Sequence, residues 1–381
     1  MRTENHTSLL STFSFLLSTY YFFYFVLVGV YIIFLPKVLL ELAYSPLEVG
    51  IIYAAAPLMR FLLPFIFKKY VSLGPKVYLF SLFFTFLITL VFLGTVELFW
   101  PYLIANLFFG AAMGISLPYV ETIALATLAR GHYGKVRLWG SLGFISISIW
   151  LGRVLNSAHE ALYYLAVAAL LTLIFGGLLI RHEKVVPSNT QDDSFFSLTR
   201  YWAFWLSIFL MQVGFGGFYN FFTIHATSHG FSLEMVSWMW SFGVICEVFM
   251  LYFQGPLLQK NLLNILLFAT LLTSFRWLLL YVYPDSVSIT FASQSLHAIS
   301  FALYHTAAIT YVFGLYTQKK LAQQFFLGIA FGLGGSVGAI LSGQMYGEYL
   351  FLMEAIITFL AFLVLLVHQK RRQALEESPN A

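Results

Sequence analysis

Six ionisable side chains lie within or at the edge of long apolar runs of this sequence, where a charge is expensive to bury. They are Arg60, Glu121, Arg137, Glu247, Arg276 and His297. A charged side chain at the centre of a bilayer costs roughly 2.5–3.5 kcal/mol even on scales derived from insertion experiments. Several such groups in one chain indicate a polar cavity inside a helical bundle and a solute that passes through it.

The apolar runs that surround these groups define the class of protein. The chain has 381 residues, of which 60% are hydrophobic and only 9% are charged, whereas soluble domains carry about 25% charged residues. A bilayer core needs around 20 apolar residues for each helix that crosses it. We therefore predict an all-α membrane protein with about twelve transmembrane helices, at residues 13–35, 46–67, 74–94, 100–128, 136–156, 160–180, 200–226, 232–254, 262–281, 286–314, 320–345 and 348–368.

So many spans leave little of the chain for a soluble domain, and this excludes several functions. The net charge of +4 is not a nucleic-acid signal in such a chain. The sequence has no GxxxxGK[ST] phosphate-binding loop and no cluster of His and Asp at metal-ligand spacing. We expect no enzymatic activity, no cofactor, no bound metal and no nucleic-acid partner. The expected partners of a monomeric protein are the lipid bilayer, a small-molecule substrate and protons.

The basic residues predict the orientation in the membrane. Of the 20 Lys and Arg, 16 lie on or near one side if both termini share it, and only Lys37 and Arg153 lie on the other. Cytoplasmic loops carry the excess of Lys and Arg. We predict a multi-pass protein of a bacterial-type inner membrane, with both termini in the cytoplasm.

The two halves of the chain resemble each other. Ser45-Pro-Leu-Glu-Val opens the second predicted span and Ser232-Leu-Glu-Met-Val opens the eighth, while Gly140-Ser-Leu-Gly143 is matched by Gly335-Ser-Val-Gly338. A long polar stretch separates the halves. We predict an N-terminal six-helix bundle at 1–180, a cytoplasmic linker at 181–199 and a C-terminal six-helix bundle with a short tail at 200–381.

The fifth and eleventh predicted spans are rich in glycine. Glycine lets helix backbones approach closely in a membrane, although it costs about 1 kcal/mol against Ala in a helix. Two interpretations remain open: tight static packing, or smooth faces that move past each other during transport.

In the N-terminal half, Glu121 and Arg137 lie at similar depth on consecutive antiparallel helices, and Arg60 lies within reach of them. Buried charges require pairing, so we predict an ion pair here. Arg137 could offer its fork of N–H donors to a substrate carboxylate or hydroxyl, and Trp139 could add an aromatic face. The alternative is a purely structural ion pair that locks two helix ends together.

In the C-terminal half, counting depth along the helices places Arg276 beside His297 and Glu247 further inward. A histidine and a buried carboxyl both suit a reversible proton carrier. We predict proton-coupling roles for these three residues. The alternative for His297 is a hydrogen-bonded buried imidazole.

The segment Tyr133-Gly-Lys-Val-Arg-Leu-Trp-Gly-Ser141 resembles the signature of phenylpropionate-permease-like transporters, which are major facilitator proteins related to lactose permease. Ser241 to Glu247, Phe275-Arg-Trp277 and Leu296-His297 add to the resemblance, which covers both halves. The resemblance implies the major facilitator fold, with two pseudo-symmetric six-helix bundles. It also implies substrate binding by Glu121 and Arg137 and coupling through Arg276 and His297.

The chain departs from the lactose permease pattern at two positions. Ser300 stands where that branch has a proton-carrying carboxylate, and Gln294 stands where it has a Lys. A coupling proton would then be carried by Glu247 or Glu121. We expect a secondary transporter that moves an aromatic carboxylate with protons by alternating access. A sugar or nucleoside substrate, and a non-transporting membrane sensor of the same fold, are the alternatives.

Overall fold

A computed structural model describes residues 2–70, 74–128, 130–155, 157–180 and 197–376. Every regular element in these ranges is a helix. In chain order the α-helices are α1 (Arg2–Gly29), α2 (Leu35–Glu41), α3 (Pro46–Tyr70), α4 (Pro75–Thr95), α5 (Phe99–Thr127), α6 (Arg130–Val154), α7 (Ala158–Leu179), α8 (Trp202–Val213), α9 (Gly216–Ser228), α10 (Leu233–Phe253), α11 (Leu262–Val282), α12 (Val287–Ser295), α13 (Tyr304–Leu315), α14 (Lys319–Leu327), α15 (Gly335–Gln344) and α16 (Leu350–Glu376).

These helices combine into membrane spans. Within the described ranges, eleven helical segments are long and apolar enough to cross a bilayer. The fifth span predicted from the sequence corresponds to α6, which is helical over 25 residues but is not among the eleven, because its polar and charged residues lower its hydropathy. Most of the predicted linker, residues 181–196, lies outside the described residues. The prediction of an all-α membrane protein is confirmed.

Four spans are interrupted, and two of the interruptions lie beside the ionisable residues. The span Thr199–Ser228 breaks between the end of α8 at Val213 and the start of α9 at Gly216. A π-helical turn at Ala298–Leu303 follows His297 directly. The other π-helical turns lie at Val30–Phe34 and Gly328–Gly334. Such turns inside α-helices are frequent at functional sites.

The chain forms two compact units. The first contains Met1–Ser45, Leu62–Thr190 and Ser232–Ser241, and the second contains Pro46–Phe61, Gln191–Phe231 and Phe242–Ala381. Each unit therefore includes one short segment from the opposite half of the sequence. The division of the chain at 1–180 and 200–381 stays a prediction.

Within the first unit, the beginning of α10 packs on the end of α6. Ser148 Oγ donates to the carbonyl of Ser237 at 3.0 Å, and Arg153 Nε lies 2.6 Å from Glu234 Oε1. Gly152 lies against Ser237, so closely that no side chain would fit there. A residue without a Cβ is needed at this position because the two helices touch.

Within the second unit, the beginning of α3 packs on α15 in a similar way. Ser336 Oγ donates to the carbonyl of Ala54 at 3.0 Å. A Cβ at Gly343 would lie 2.5 Å from the carbonyl oxygen of Pro46, and a Cβ at Gly50 would collide with the carbonyl of Ala339. These contacts support the packing role of the glycines. Movement along these faces stays a prediction.

The helix pair α1 and α6 positions the first candidate site, and its approach also depends on glycine. A Cβ at Gly143 would collide with the backbone carbonyl of Phe22, and a Cβ at Gly140 would lie 2.7 Å from the Phe25 ring. The absent side chains bring α6 close enough to place its Arg137 against aromatic residues of α1.

We predict that Gly143→Ala lowers the thermal unfolding midpoint of the purified protein. The new methyl group meets rigid backbone rather than a flexible side chain, and overpacking of this kind costs about 1–3 kcal/mol. Gly134→Ala is the matched control on the same helix, since a Cβ there meets no described atom within 4 Å. Equal midpoints for the two variants would show that the α1–α6 contact is not tightly packed.

Candidate substrate and coupling sites

The first cluster joins α5 and α6 through one carboxylate. Arg137 Nε donates to Glu121 Oε1 at 3.1 Å, and the hydroxyl of Tyr133 donates to Glu121 Oε2 at 3.0 Å. Tyr133 and Arg137 lie one helical turn apart on α6, so both reach the same acceptor. The side chains of Arg137 and Glu121 are each 31% exposed. The pair is therefore a polar site with an open side rather than a sealed ion pair.

Aromatic rings of α1 flank the guanidinium of Arg137. Its Cζ lies 4.2 Å from the centroid of the Phe25 ring and 5.2 Å from that of Tyr21. Gly140, one turn further along α6, leaves room for it, because a Cβ there would lie 2.8 Å from Arg137 Nη1. A cation over an aromatic face gains roughly 0.5–2 kcal/mol, with the larger values at desolvated sites.

The other two predicted binding residues do not join this cluster. Arg60 has an exposed side chain on α3 and belongs to the second unit. It makes no ion pair with any residue that the structure describes, and the carboxylate of Glu121 is already occupied by Arg137 and Tyr133. Trp139 lies on α6 with 47% of its surface exposed. Their binding roles stay predictions.

The second cluster surrounds Arg276 of α11, which is completely buried. Its Nη1 lies 3.1 Å from His297 Nδ1 and donates to Ser300 Oγ at 3.0 Å, while Nη2 donates to Gln294 Oε1 at 3.2 Å. The three partners are spaced three residues apart at the junction of α12 and the π-helical turn, and so they present one face to α11. Arg276 lies beside His297, as depth counting predicts.

The contact with Arg276 determines the tautomer of His297. A guanidinium can only donate, so Nδ1 must accept and the ring hydrogen must be on Nε2. That atom lies 3.7 Å from Glu247 Oε2. His297 therefore connects a fixed positive charge to a carboxylate on α10. A doubly protonated ring would direct an N–H at the guanidinium, which the geometry opposes.

Aromatic rings seal this second cluster. The Cζ of Arg276 lies 4.4 Å from the Trp277 ring and 4.5 Å from the Phe218 ring. The ring of His297 stacks on Phe301, with centroids 5.0 Å apart. Unlike Arg137, the guanidinium of Arg276 has no open side in this structure. It can act on a solute only through other residues.

Sequence reasoning missed three members of this cluster. Gln294 and Ser300 appeared only as departures from a charged pattern, yet each accepts a hydrogen bond from the guanidinium. Glu354 of α16 is 2% exposed and interacts electrostatically with Arg276. The signal for Glu354 was present, since it is a carboxylate within the apolar run that opens the last span.

This chain belongs to the MFS_1 like family, whose model matches residues 15–361. It is 27% identical over 356 residues to a protein of Escherichia coli (strain K12) described as a "probable 3-phenylpropionic acid transporter", covering 87% of this chain and 90% of that protein. The fold is similar to that of nucleoside transporter NupG, with a TM-score of 0.76 and 18% identity over 94% of this chain and 99% of the other. The POT family transporter PepTSo gives a TM-score of 0.76 at 9% identity, over 95% of this chain and 98% of the other.

The expected all-α membrane fold of the major facilitator type and the expected class are therefore confirmed, while the count of twelve spans and the two six-helix bundles stay predictions. The protein is a multi-pass membrane transporter of the major facilitator type, embedded in a lipid bilayer and acting on a small molecule, and its relatives are transporters rather than enzymes.

We predict that Ser300→Ala lowers the unfolding midpoint of the purified protein, because it removes one acceptor from a fully buried guanidinium. Loss of one partner in such a site costs about 1–3 kcal/mol. Ser295→Ala is the control, since its Oγ donates only to the local carbonyl of Ala292 at 2.7 Å. A midpoint for Ser300→Ala as high as that of the control would mean that this hydrogen bond adds nothing to stability.

Proposed function

We propose that this protein is a secondary active transporter that moves an aromatic carboxylate together with protons by alternating access. Glu121 and Arg137 form the substrate site, and the binding roles of Arg60 and Trp139 stay predictions. Glu247, Arg276 and His297 belong to the proton-coupling site. The protein acts as a monomer in a bacterial-type inner membrane with its termini in the cytoplasm.

One observation carries this proposal, namely the contrast between the partly exposed Arg137 and the buried Arg276. Arg137 is 31% exposed and has one nitrogen, Nε, bonded to Glu121. Arg276 is 0% exposed and bonded to three neutral groups. An arginine with an open side can bind a solute directly. An enclosed arginine that no solute can contact is suited to act as a fixed charge on nearby ionisable groups.

The surroundings of Arg137 favour an aromatic acid as substrate. A guanidinium binds a carboxylate through two parallel hydrogen bonds. The rings of Phe25 and Tyr21 beside it offer faces to a second ring, and offset aromatic pairs gain about 0.5–1.5 kcal/mol beyond the area that they bury. The 3-phenylpropionic acid named for the relative combines both groups, which supports the proposal.

The surroundings of His297 favour proton coupling. Its Nε2 hydrogen faces Glu247, a carboxylate on a membrane-spanning helix. Intramembrane carboxylates and histidines serve as proton relays in transporters. Since Ser300 cannot carry a proton, we assign this role to Glu247.

A nucleoside or sugar is the second candidate substrate. Glu121 and Tyr133 together offer an acceptor and a hydroxyl that suit a solute rich in hydroxyl groups. The transport experiment below therefore includes both classes.

We expect proteoliposomes that contain the purified protein to take up labelled 3-phenylpropionate faster when the outside is acidic than when the pH is equal on both sides. Protein-free liposomes supply the background, because the protonated acid crosses lipid unaided. Unlabelled uridine and lactose serve as competitors and are expected not to compete.

Competition by uridine or lactose would favour a nucleoside or a sugar as the substrate. Protein-dependent uptake that ignores the pH gradient would contradict proton coupling. Absence of protein-dependent uptake or binding for all three solutes would favour a sensor of the same fold.

We predict that Arg137→Ala weakens binding of 3-phenylpropionate by about tenfold or more, equivalent to at least about 1.4 kcal/mol. Arg137→Lys keeps the positive charge but loses the paired N–H donors of the guanidinium. Its affinity is expected to lie between those of the wild type and Arg137→Ala. Isothermal titration of the detergent-solubilised protein measures the affinities. Lys135→Ala, an exposed position on the same helix, is the control. Unchanged affinity in a well-folded Arg137→Ala protein would support a purely structural ion pair.

A further inference from the structure

Glu354 is a buried carboxyl that the proposed mechanism has not used. It lies on α16, is 2% exposed and accepts hydrogen bonds from the backbone N–H groups of Gly217 and Phe218. Its other oxygen, Oε2, has no hydrogen-bond partner among the described residues. A buried carboxyl with one satisfied and one unsatisfied oxygen is expensive to maintain unless it has a function.

The break in the span Thr199–Ser228 creates the place for this carboxyl. Because α9 begins at Gly216, its first N–H groups have no partners within the helix and point toward Glu354. A Cβ at Gly217 would lie 2.6 Å from Glu354 Oε1, so a residue with a side chain would push the carboxyl away. The backbone here is shaped to hold an ionised carboxylate.

Two carboxyls of the second unit act on Arg276. His297 connects it to Glu247, and Glu354 acts on it electrostatically without a hydrogen bond or an ion pair between the two. With His297 neutral and both carboxylates ionised, this group of four side chains has a net charge of −1. One added proton makes it neutral. Since a net charge in a low-dielectric interior is unfavourable, the group is suited to hold one proton shared between two carboxyls.

These groups also follow one another in depth. The end of α11 and the starts of α12 and α16 lie on the same side of the membrane, because short connections join consecutive spans. Measured from that side at about 1.5 Å per residue, Glu354 lies at roughly 6 Å, Arg276 at roughly 9 Å and His297 at roughly 15 Å. Glu247 lies roughly 9 Å from the opposite end, at the end of α10. The two carboxyls therefore face opposite sides of the fixed charge.

Few other ionisable groups surround Glu354 in the described part of the chain. The helix α8 has none, α9 carries Tyr219 and His225, and α11 carries Tyr281 besides Arg276. On α16 itself His368 lies fourteen residues further on, roughly 21 Å away. Arg276 is the charged group that acts on Glu354.

We propose that Glu354 is the second proton-binding carboxyl of the coupling site. The proton binds at Oε2 when Glu247 is ionised. When it leaves, the carboxylate is stabilised by the N–H groups of Gly217 and Phe218 and by Arg276, which stays charged throughout. This inference rests on the proposed proton coupling, and it adds a residue on the last span to the predicted coupling set.

Infrared difference spectra of the lipid-reconstituted protein at stepped pH test the proposal without any substrate. The wild type is expected to show a protonated-carboxyl band that is absent from Glu354→Gln and kept in the control Glu348→Gln, which changes an exposed carboxyl just before α16. Identical band sets in Glu354→Gln and the wild type would overturn the proposal.

Transport supplies the second readout. Glu354→Gln mimics the protonated carboxyl, so it is expected to keep the exchange of labelled for unlabelled 3-phenylpropionate at equal pH. It is expected to lose the acceleration by an acidic exterior. Acceleration equal to that of the wild type would overturn the proposal.

Two further outcomes are distinguishable. A wild type without proton-driven uptake contradicts the proposed function, and the infrared measurement then still decides whether Glu354 titrates. If Glu354→Gln does not fold, Glu354→Asp replaces it, since the shorter side chain withdraws from Gly217 and is expected to move the pH midpoint of the band. An unmoved midpoint would overturn the proposal.

Discussion

A guanidinium enclosed in an apolar bundle must have both its charge and its N–H groups satisfied, and Arg276 imposes this requirement on the second unit. Much of its surroundings meets that demand. Three neutral side chains accept hydrogen bonds from its two terminal nitrogens, and two aromatic rings cover its faces. One carboxylate contacts His297 and a second acts on the guanidinium electrostatically, while Nε has no hydrogen-bond partner among the described residues. The interrupted span Thr199–Ser228 binds one of these carboxyls, Glu354, through its backbone N–H groups. Interrupted helices are tolerated in a membrane when the backbone groups that they free find partners.

In the first unit, the charge of Arg137 is neutralised differently. Arg137 is paired with a single carboxylate and stacked on rings, but it remains partly open. A fully enclosed arginine and a partly open one in the same protein separate two tasks that a coupled transporter needs. In the proposed mechanism, one charge contacts the solute and the other acts on the groups that bind the proton. The distinction depends on packing around each side chain rather than on residue type.

Much of this fold could be predicted from the sequence, because apolar run length alone specifies a membrane helix. Glu121 and Arg137 could be paired because consecutive antiparallel helices bring them to similar depth. The interruptions within the membrane spans were harder to predict. The sequence around Gly214 does not indicate that α8 ends there, because glycine is common in membrane helices. Hydropathy does not specify helix rotation, so the pairing of Arg60 with Glu121 stays a prediction. Glu354 was missed although the rule that found Glu247 applies equally to it.

The π-helical turn after His297 has a consequence for the geometry of the proposed coupling site. A π turn holds an extra residue, which rotates everything on one side of it by about 100° relative to the other. His297 lies before this turn and Ser300 lies within it, yet both contact the same nitrogen of Arg276. If the turn relaxed to a regular α-helix, α13 and the side chains after Leu303 would rotate relative to His297. The π turn therefore determines which side chains of α13 lie on the same face as His297.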